Sequence, residues 1–232
     1  MHHDIVATTF WVGEVFDPGA EDGSQVCSTY DSQWAFRWSG ISAGQVPADA
    51  SGCAGATTGG CDGIAEAGTC RTEQRVAANG FFPSRVNPLE NPFYLDLPYD
   101  DVNDGAGFAR RCEVIPWAGR SPGRCGDQGI SFMKNHWVRL TGPNGSTCYG
   151  QVEDAGPGQY HDVAYVFGSD DARPANQRYG GAGIDVSPAL NGCLGFASLD
   201  GDADRVSWQF VDDSQVPPGP WTRRVTTSGV HQ

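Results

Sequence analysis

The cleanest alternation of apolar and polar positions lies near the C-terminus, where Val206 to Val211 reads VSWQFV and predicts a strand. Upstream, KNHWVRLTG (134–142) and STCYGQVED (146–154) flank Pro143-Asn144-Gly145, and the Asn-Gly step predicts a hairpin. IVATTFWVGEVF (5–16) is dense in β-branched and aromatic residues and reads as a first strand. NPFYLDLP (91–98) reads as a short apolar strand, and Asp100 to Asp104 as a turn or helix start. GAGIDVS reads as a strand ending at Asp185. SPALNGCLGF follows as a short helix, with Ser187 as N-cap and Pro188 in its first turn. Short helices are also expected at Thr72 to Asn79, closed by Gly80, and in HDVAYVFG (161–168). Tyr30 to Trp38 reads as a strand or a short helix inside an otherwise loop-like 17–70. The segment from PPGPW onward is expected to cover the rest. No internal repeat or linker interrupts this order, so one domain over 1–232 is expected.

Composition sharpens this picture. The 32 glycines and 15 prolines favour turns and short strands over long helices. No apolar run approaches the ~18 residues of a spanning helix. The 28 acidic residues against 15 basic ones leave a net charge of −13, which repels phosphate backbones and anionic lipid. Nucleic acid and membrane partners are therefore not expected. Eight cysteines, at 27, 53, 61, 70, 112, 125, 148 and 193, form no CxxC pair. Their even number and wide scatter predict up to four disulfides in an exported protein, not a zinc site. Met1-His2-His3 is polar, without an apolar leader, so the chain reads as a mature sequence behind a start codon. Secretion is thus inferred from cysteine usage. Asp200-Gly201-Asp202-Ala203-Asp204 alternates acids as calcium loops do, but Arg205 and Val211 stand where an EF-hand needs Gly and Glu. A solvated turn is the better reading, and neither metal nor cofactor is expected.

The order of motifs in the C-terminal half is distinctive. A hairpin strand ends in Val152-Glu153-Asp154-Ala155-Gly156-Pro157, and Gly183-Ile184-Asp185-Val186-Ser187-Pro188-Ala189-Leu190 follows before the last strand. This arrangement resembles the six-stranded double-psi β-barrel of family 45 cellulases, expansins, barwin, rare lipoprotein A and the MltA and 3D-type lytic transglycosylases. The resemblance covers residues 90–212. Over 1–90 only Thr9-Phe10-Trp11 is similar to the aromatic first strand of that fold. The fold implied is mainly β: a six-stranded double-psi barrel with long disulfide-pinned loops, a long insertion over 17–90 and a few short helices.

What the resemblance implies about chemistry is glycan cleavage. Breaking a glycosidic bond needs a proton donor at the leaving oxygen, and a hydrolase needs a second carboxylate. Asp185 corresponds to the general acid of the resembled enzymes, and Asp154 to the Asp that assists it. Family 45 cellulases take their base from the first strand, directly after a Tyr-Trp pair. Here Phe10-Trp11 is followed by Val12-Gly13-Glu14, so Glu14, and then Asp31, are the candidate bases. Asp96 is an acid inside an apolar strand, a rare placement unless it is paired or functional. His161 follows Asp154 in the next loop, and Lys134, the only lysine, stands beside Asn135-His136. Trp11, Tyr94 and Tyr160 are candidate platforms for sugar rings. With Asp96, His161 and Lys134 they make the expected substrate-binding set.

The expectation is a monomeric, secreted, cellulase-like endo-hydrolase of a β-1,4-linked polysaccharide. Two alternatives stand beside it: a peptidoglycan lytic enzyme, and a non-catalytic expansin-like or barwin-like binder.

Overall fold

The computed structural model describes residues 1–14, 28–40, 62–66, 69–199, 201 and 203–231. Eight strands are described: β1 (His2–Thr9), β2 (Ile64–Glu66), β3 (Thr69–Arg71), β4 (Tyr94–Leu97), β5 (Trp137–Thr141), β6 (Thr147–Ala155), β7 (Ile184–Val186) and β8 (Asp204–Val211). The helices are α1 (Trp34–Ser39), α2 (Gly105–Val114), α3 (Val163–Val166) and α4 (Pro188–Leu194). Six strands close into a barrel in the order β1-β7-β4-β6-β5-β8, with β8 pairing back onto β1. The β1–β7 and β4–β6 pairs are parallel, and the other four contacts around the barrel are antiparallel. β2 and β3 form a separate antiparallel pair.

Alternation along each strand fills the barrel. Ile5 and Ala7, Val138 and Leu140, Ile184 and Val186, and Val206 and Trp208 belong to one buried apolar cluster with Leu95, Leu97 and Val152. Full burial of one such aliphatic side chain contributes about 1.5–3 kcal/mol. β4 is buried on both faces, which explains its apolar character on either side of Asp96. A second cluster, Phe10, Val12, Trp34, Ala35, Trp38 and Tyr94, packs α1 against the outside of β4.

The hairpin between β5 and β6 turns at Asn144-Gly145, where Gly145 adopts φ 82°. Ser187 caps α4 by accepting the Leu190 N–H at 3.2 Å, with Pro188 in the first turn. The C-terminal segment covers the outside. Trp221 packs on Tyr149 and Phe93, and Thr226 bonds Asn91 and Gln151.

Several expected elements differ. β1 ends at Thr9 instead of continuing to Phe16; Glu14 N–H donates to Trp11 O at 2.9 Å in a reversal through Gly13 (φ 85°). That reversal carries Phe10 and Val12 into the second cluster, while residues 15 and 16 lie outside the described residues. Thr72 to Asn79 holds only a 3-10 turn, Ala77–Asn79, closed by Gly80. The helix start at Asp100–Asp104 opens a ten-residue helix, α2, with Asp104 accepting the Gly107 N–H at 2.7 Å. Arg111, fully buried on α2, donates to the carbonyls of Asp101, Arg124, Cys125, Asp127 and Ile130, which fixes the loop beyond the helix.

Two disulfides are described, Cys112–Cys125 and Cys148–Cys193. The first closes the α2 loop and the second ties β6 to α4, so both lie outside the 27–70 segment. Cys70 is also disulfide-bonded. Cys27, Cys53 and Cys61 lie outside the described residues, as do 17–27, 41–61 and 67–68 of the expected 17–90 insertion and parts of the Asp200–Asp204 turn. Disulfides suit an oxidising compartment. No helix among the described residues is long and apolar enough to cross a membrane.

Candidate functional site

Strand register places the candidate acids side by side. On β4, Asp96 faces Asp154 of β6 on one side and Asp185 of β7 on the other. Asp185 in turn faces Thr8 of β1. Thr8, Asp185, Asp96 and Asp154 therefore form a row across four neighbouring strands. Adjacent strands lie about 4.7–4.9 Å apart, so Asp154 and Asp185 are about 9.5 Å apart at the backbone.

A bulge makes this row. Leu95 pairs with Val152, but Asp96 pairs with Asp154, leaving Glu153 as the additional residue on β6. The slip leaves Asp154 opposite Asp96. Glu153 instead forms a buried ion pair with Lys134.

Hydrogen bonds hold the row. The Thr8 hydroxyl donates to Asp185 Oδ1, and the Asp185 backbone N–H donates to Asp96 Oδ1 at 3.0 Å. Asp154 Oδ1 accepts the N–H groups of Thr29 and Ala155, both at 2.8 Å. Gly156 follows because Asp96 leaves no room: a Cβ there would lie 2.7 Å from Asp96 Oδ2. Exposure differs along the row, with the middle acid the most buried. Asp96 is 1% exposed and Asp154 6%, whereas Asp185 is half-buried.

Burial sets the electrostatics. It pushes the Asp154 carboxyl up to about 7, against the stabilising Thr29 and Ala155 N–H groups, and nearby Asp100 adds to the rise. Burial likewise raises Asp101 to about 6, although Ser131 and the Phe132 N–H stabilise its charge. Tyr30, fully buried, is raised by burial and then by the fields of Asp101, Asp100 and Asp154. Glu153 is raised by burial, with Lys134 opposing the shift. Burial works against the Lys134 charge, but Glu153 outweighs it and lifts Lys134 above its ordinary value.

The other expected site residues are placed elsewhere. Glu14 is buried and its Oε2 accepts the Trp11 N–H at 3.3 Å, within its own turn. Asp31, 1% exposed, pairs with Arg37 at 3.0 Å and accepts the Gln33 N–H at 2.8 Å. Tyr94 is wholly buried, and its hydroxyl donates to Asp62 at 2.7 Å, so its ring offers no face to a sugar. Trp11 is half-buried, with its indole N–H on Cys70 O at 3.2 Å. His161 is exposed and lies 3.3 Å from Asp104 Oδ1. Tyr160 is half-buried in the loop joining β6 to β7 and lines a cleft there, formed by residues 158–160 and 175–179.

Thr8 and Thr29, which hold the two outer acids, carried no signal in the sequence because neither belongs to a motif. Asp100 and Asp101 were legible only as a turn or helix start. Among the described residues, no group of three or more His, Cys, Asp or Glu side chains is arranged to hold a metal ion. No protein-family model, no curated protein and no solved structure matches the chain.

Proposed function

We propose that the barrel is a double-psi barrel and that the chain is an exported enzyme cleaving a β-1,4-linked polysaccharide with Asp185 as proton donor. The observation that carries this reading is the row Asp154–Asp96–Asp185 on adjacent strands. Carboxyl groups one strand apart resist shared ionisation, so such a row retains a proton near neutrality. Asp154 itself is lifted to about 7 by burial, with nearby Asp100 adding to the rise, so one carboxyl of the row holds a proton near neutrality. Asp185 is the most exposed member and the one best placed to pass a proton to a leaving glycosidic oxygen. Thr8 orients its carboxyl, and Asp96 holds its backbone. Asp154 assists from the buried end.

A second reading is supported by the fate of the expected bases. Glu14 is folded onto its own turn and Asp31 is ion-paired with Arg37. A lytic transglycosylase does without such a base, because a hydroxyl of the substrate attacks instead. Peptidoglycan is therefore the alternative substrate. Release of reducing ends from soluble β-glucan, chitin oligomers and peptidoglycan tests cleavage, and anhydro ends on muropeptides identify the lytic route. Binding without any cleavage would leave the expansin-like alternative.

A further inference from the structure

The geometry points to the cleft between the two limbs of the β6–β7 loop as a binding subsite for one sugar unit of a glycan chain, with Tyr160 and Tyr179 as its aromatic walls. This deepens the glycan-cleaving reading and rests on it for the ligand class. The loop leaves β6 one residue after Asp154 and enters β7 one residue before Asp185. β6 runs parallel to β4, and β7 antiparallel to it, so both loop ends emerge at the end of the barrel where Asp96 lies. Tyr160 is six residues from Asp154, and Tyr179 six from Asp185. At a maximum of about 3.3–3.6 Å per residue, each tyrosine's backbone lies within about 22 Å of its acid. For the cleft to act as a subsite, a glycan chain bound at the acids must continue into it within that reach.

The cleft is built, not incidental. Its outgoing limb is bonded to the segment after β4, with Asp100 N–H on Tyr160 O at 2.7 Å and Asp162 N–H on Pro98 O at 3.0 Å. Asp162 then fastens the returning limb by accepting the Ala175 N–H at 2.7 Å. Asn176, 4% exposed, closes that limb by donating to the carbonyls of Ala182 and Arg178, at 2.9 and 3.2 Å. Both limbs carry non-glycine residues in the left-handed region, Gln159 at φ 54° and Tyr179 at φ 53°. Such backbone costs about 1–3 kcal/mol per residue and clusters at ligand clamps. Tyr179 is also 43% exposed, an aromatic ring left at the surface. Aromatic faces take the C–H faces of sugar rings, and Gln159, Gln177 and Arg178 put polar groups along the same lining, the Gln177 amide already donating to the Ala175 and Asn176 carbonyls at 3.3 and 3.2 Å.

The test uses full-length protein carrying Asp185→Asn, so that no probe is consumed. Binding of cellohexaose, N-acetylchitohexaose and a purified muropeptide dimer is measured by calorimetry. For whichever probe binds, adding Tyr179→Ala is expected to weaken affinity about 10-fold, while Tyr179→Phe, which keeps the ring, changes it less than about 2-fold. Gln177→Ala, which leaves the strained position untouched, is expected to weaken binding about 3-fold. Unchanged affinity in both alanine variants, or no binding of any probe, overturns the subsite. Reducing-end release by the parent protein reads the catalytic proposal separately. Tyr179-dependent binding without release supports the cleft and removes the enzyme. Release with Tyr179-independent binding removes the cleft alone.

Discussion

The backbone N–H of Asp185 donates to Asp96 Oδ1 at 3.0 Å, so a buried carboxyl on β4 holds the main chain of the candidate acid on β7. Asp96→Leu should strand that N–H and cost about 1–3 kcal/mol of stability by urea unfolding. Asp96→Asn retains an acceptor and should lose less than half as much. Equal losses in the two variants would show that the bond contributes nothing.

Gly156 is the packing partner of Asp96. A Cβ at this position meets Asp96 Oδ2 at 2.7 Å. Gly156→Ala should therefore destabilise by about 1–3 kcal/mol. In the Asp96→Ala background the same change should cost much less, and the double-mutant cycle reads the difference. Additive losses would contradict the contact.

The row predicts a pH dependence of stability with a definite sign. Asp154 titrates near 3.8 when unfolded and near 7 in the fold, so between those values the native state holds a proton that the unfolded chain releases. Stability from Asp154 is greatest below about pH 4 and falls as pH rises to about 7, by at most about 1.4 kcal/mol per unit. Asp101, raised to about 6, acts in the same direction. Asp154→Asn keeps an acceptor for Thr29 and Ala155 and should flatten the urea midpoint between pH 4 and 7. An unchanged slope would place the Asp154 proton elsewhere.

Beneath the second cluster, Arg75 pairs with Asp62, and Tyr94 donates to the same carboxylate at 2.7 Å. Arg75→Met leaves a buried acid without its cation and should cost about 3–5 kcal/mol. The added change Asp62→Asn should recover part of the loss. A thermal midpoint unmoved by Arg75→Met would contradict a native-state pair.

The parts of the fold visible in the sequence are those set locally. Asn144-Gly145 fixes the β5–β6 hairpin, Ser187-Pro188 starts α4, and alternation in VSWQFV marks β8. Helix α2 was legible only as a possible start at Asp100–Asp104, because Gly105 and Gly107 disfavour helices. Gly107 is there for a tertiary reason: a Cβ would approach Asp100 O to 2.1 Å. Asp154 and Asp185 were legible through their motif and Asp96 through its placement in an apolar strand. The resemblance implied that the barrel brings the strands of Asp154 and Asp185 side by side, but β4 with Asp96 stands between them, and the row depends on the Glu153 bulge, which no local pattern announces. That same bulge sends Glu153 to Lys134, so the lone lysine serves a buried pair where a groove position was expected. Tyr94 read as a platform because it lies next to a loop, yet β4 is covered on both faces.

The central claim is that Asp185 donates the proton that cleaves a glycosidic bond. The direct measurement is reducing-end release from β-glucan, chitin oligomers and peptidoglycan by the parent chain and by Asp185→Asn, with native folding of both verified by circular dichroism. Release from one of these substrates, falling at least about 100-fold in Asp185→Asn, is the predicted result. Cleavage that survives Asp185→Asn undiminished, or a parent chain that cleaves none of the three, contradicts it.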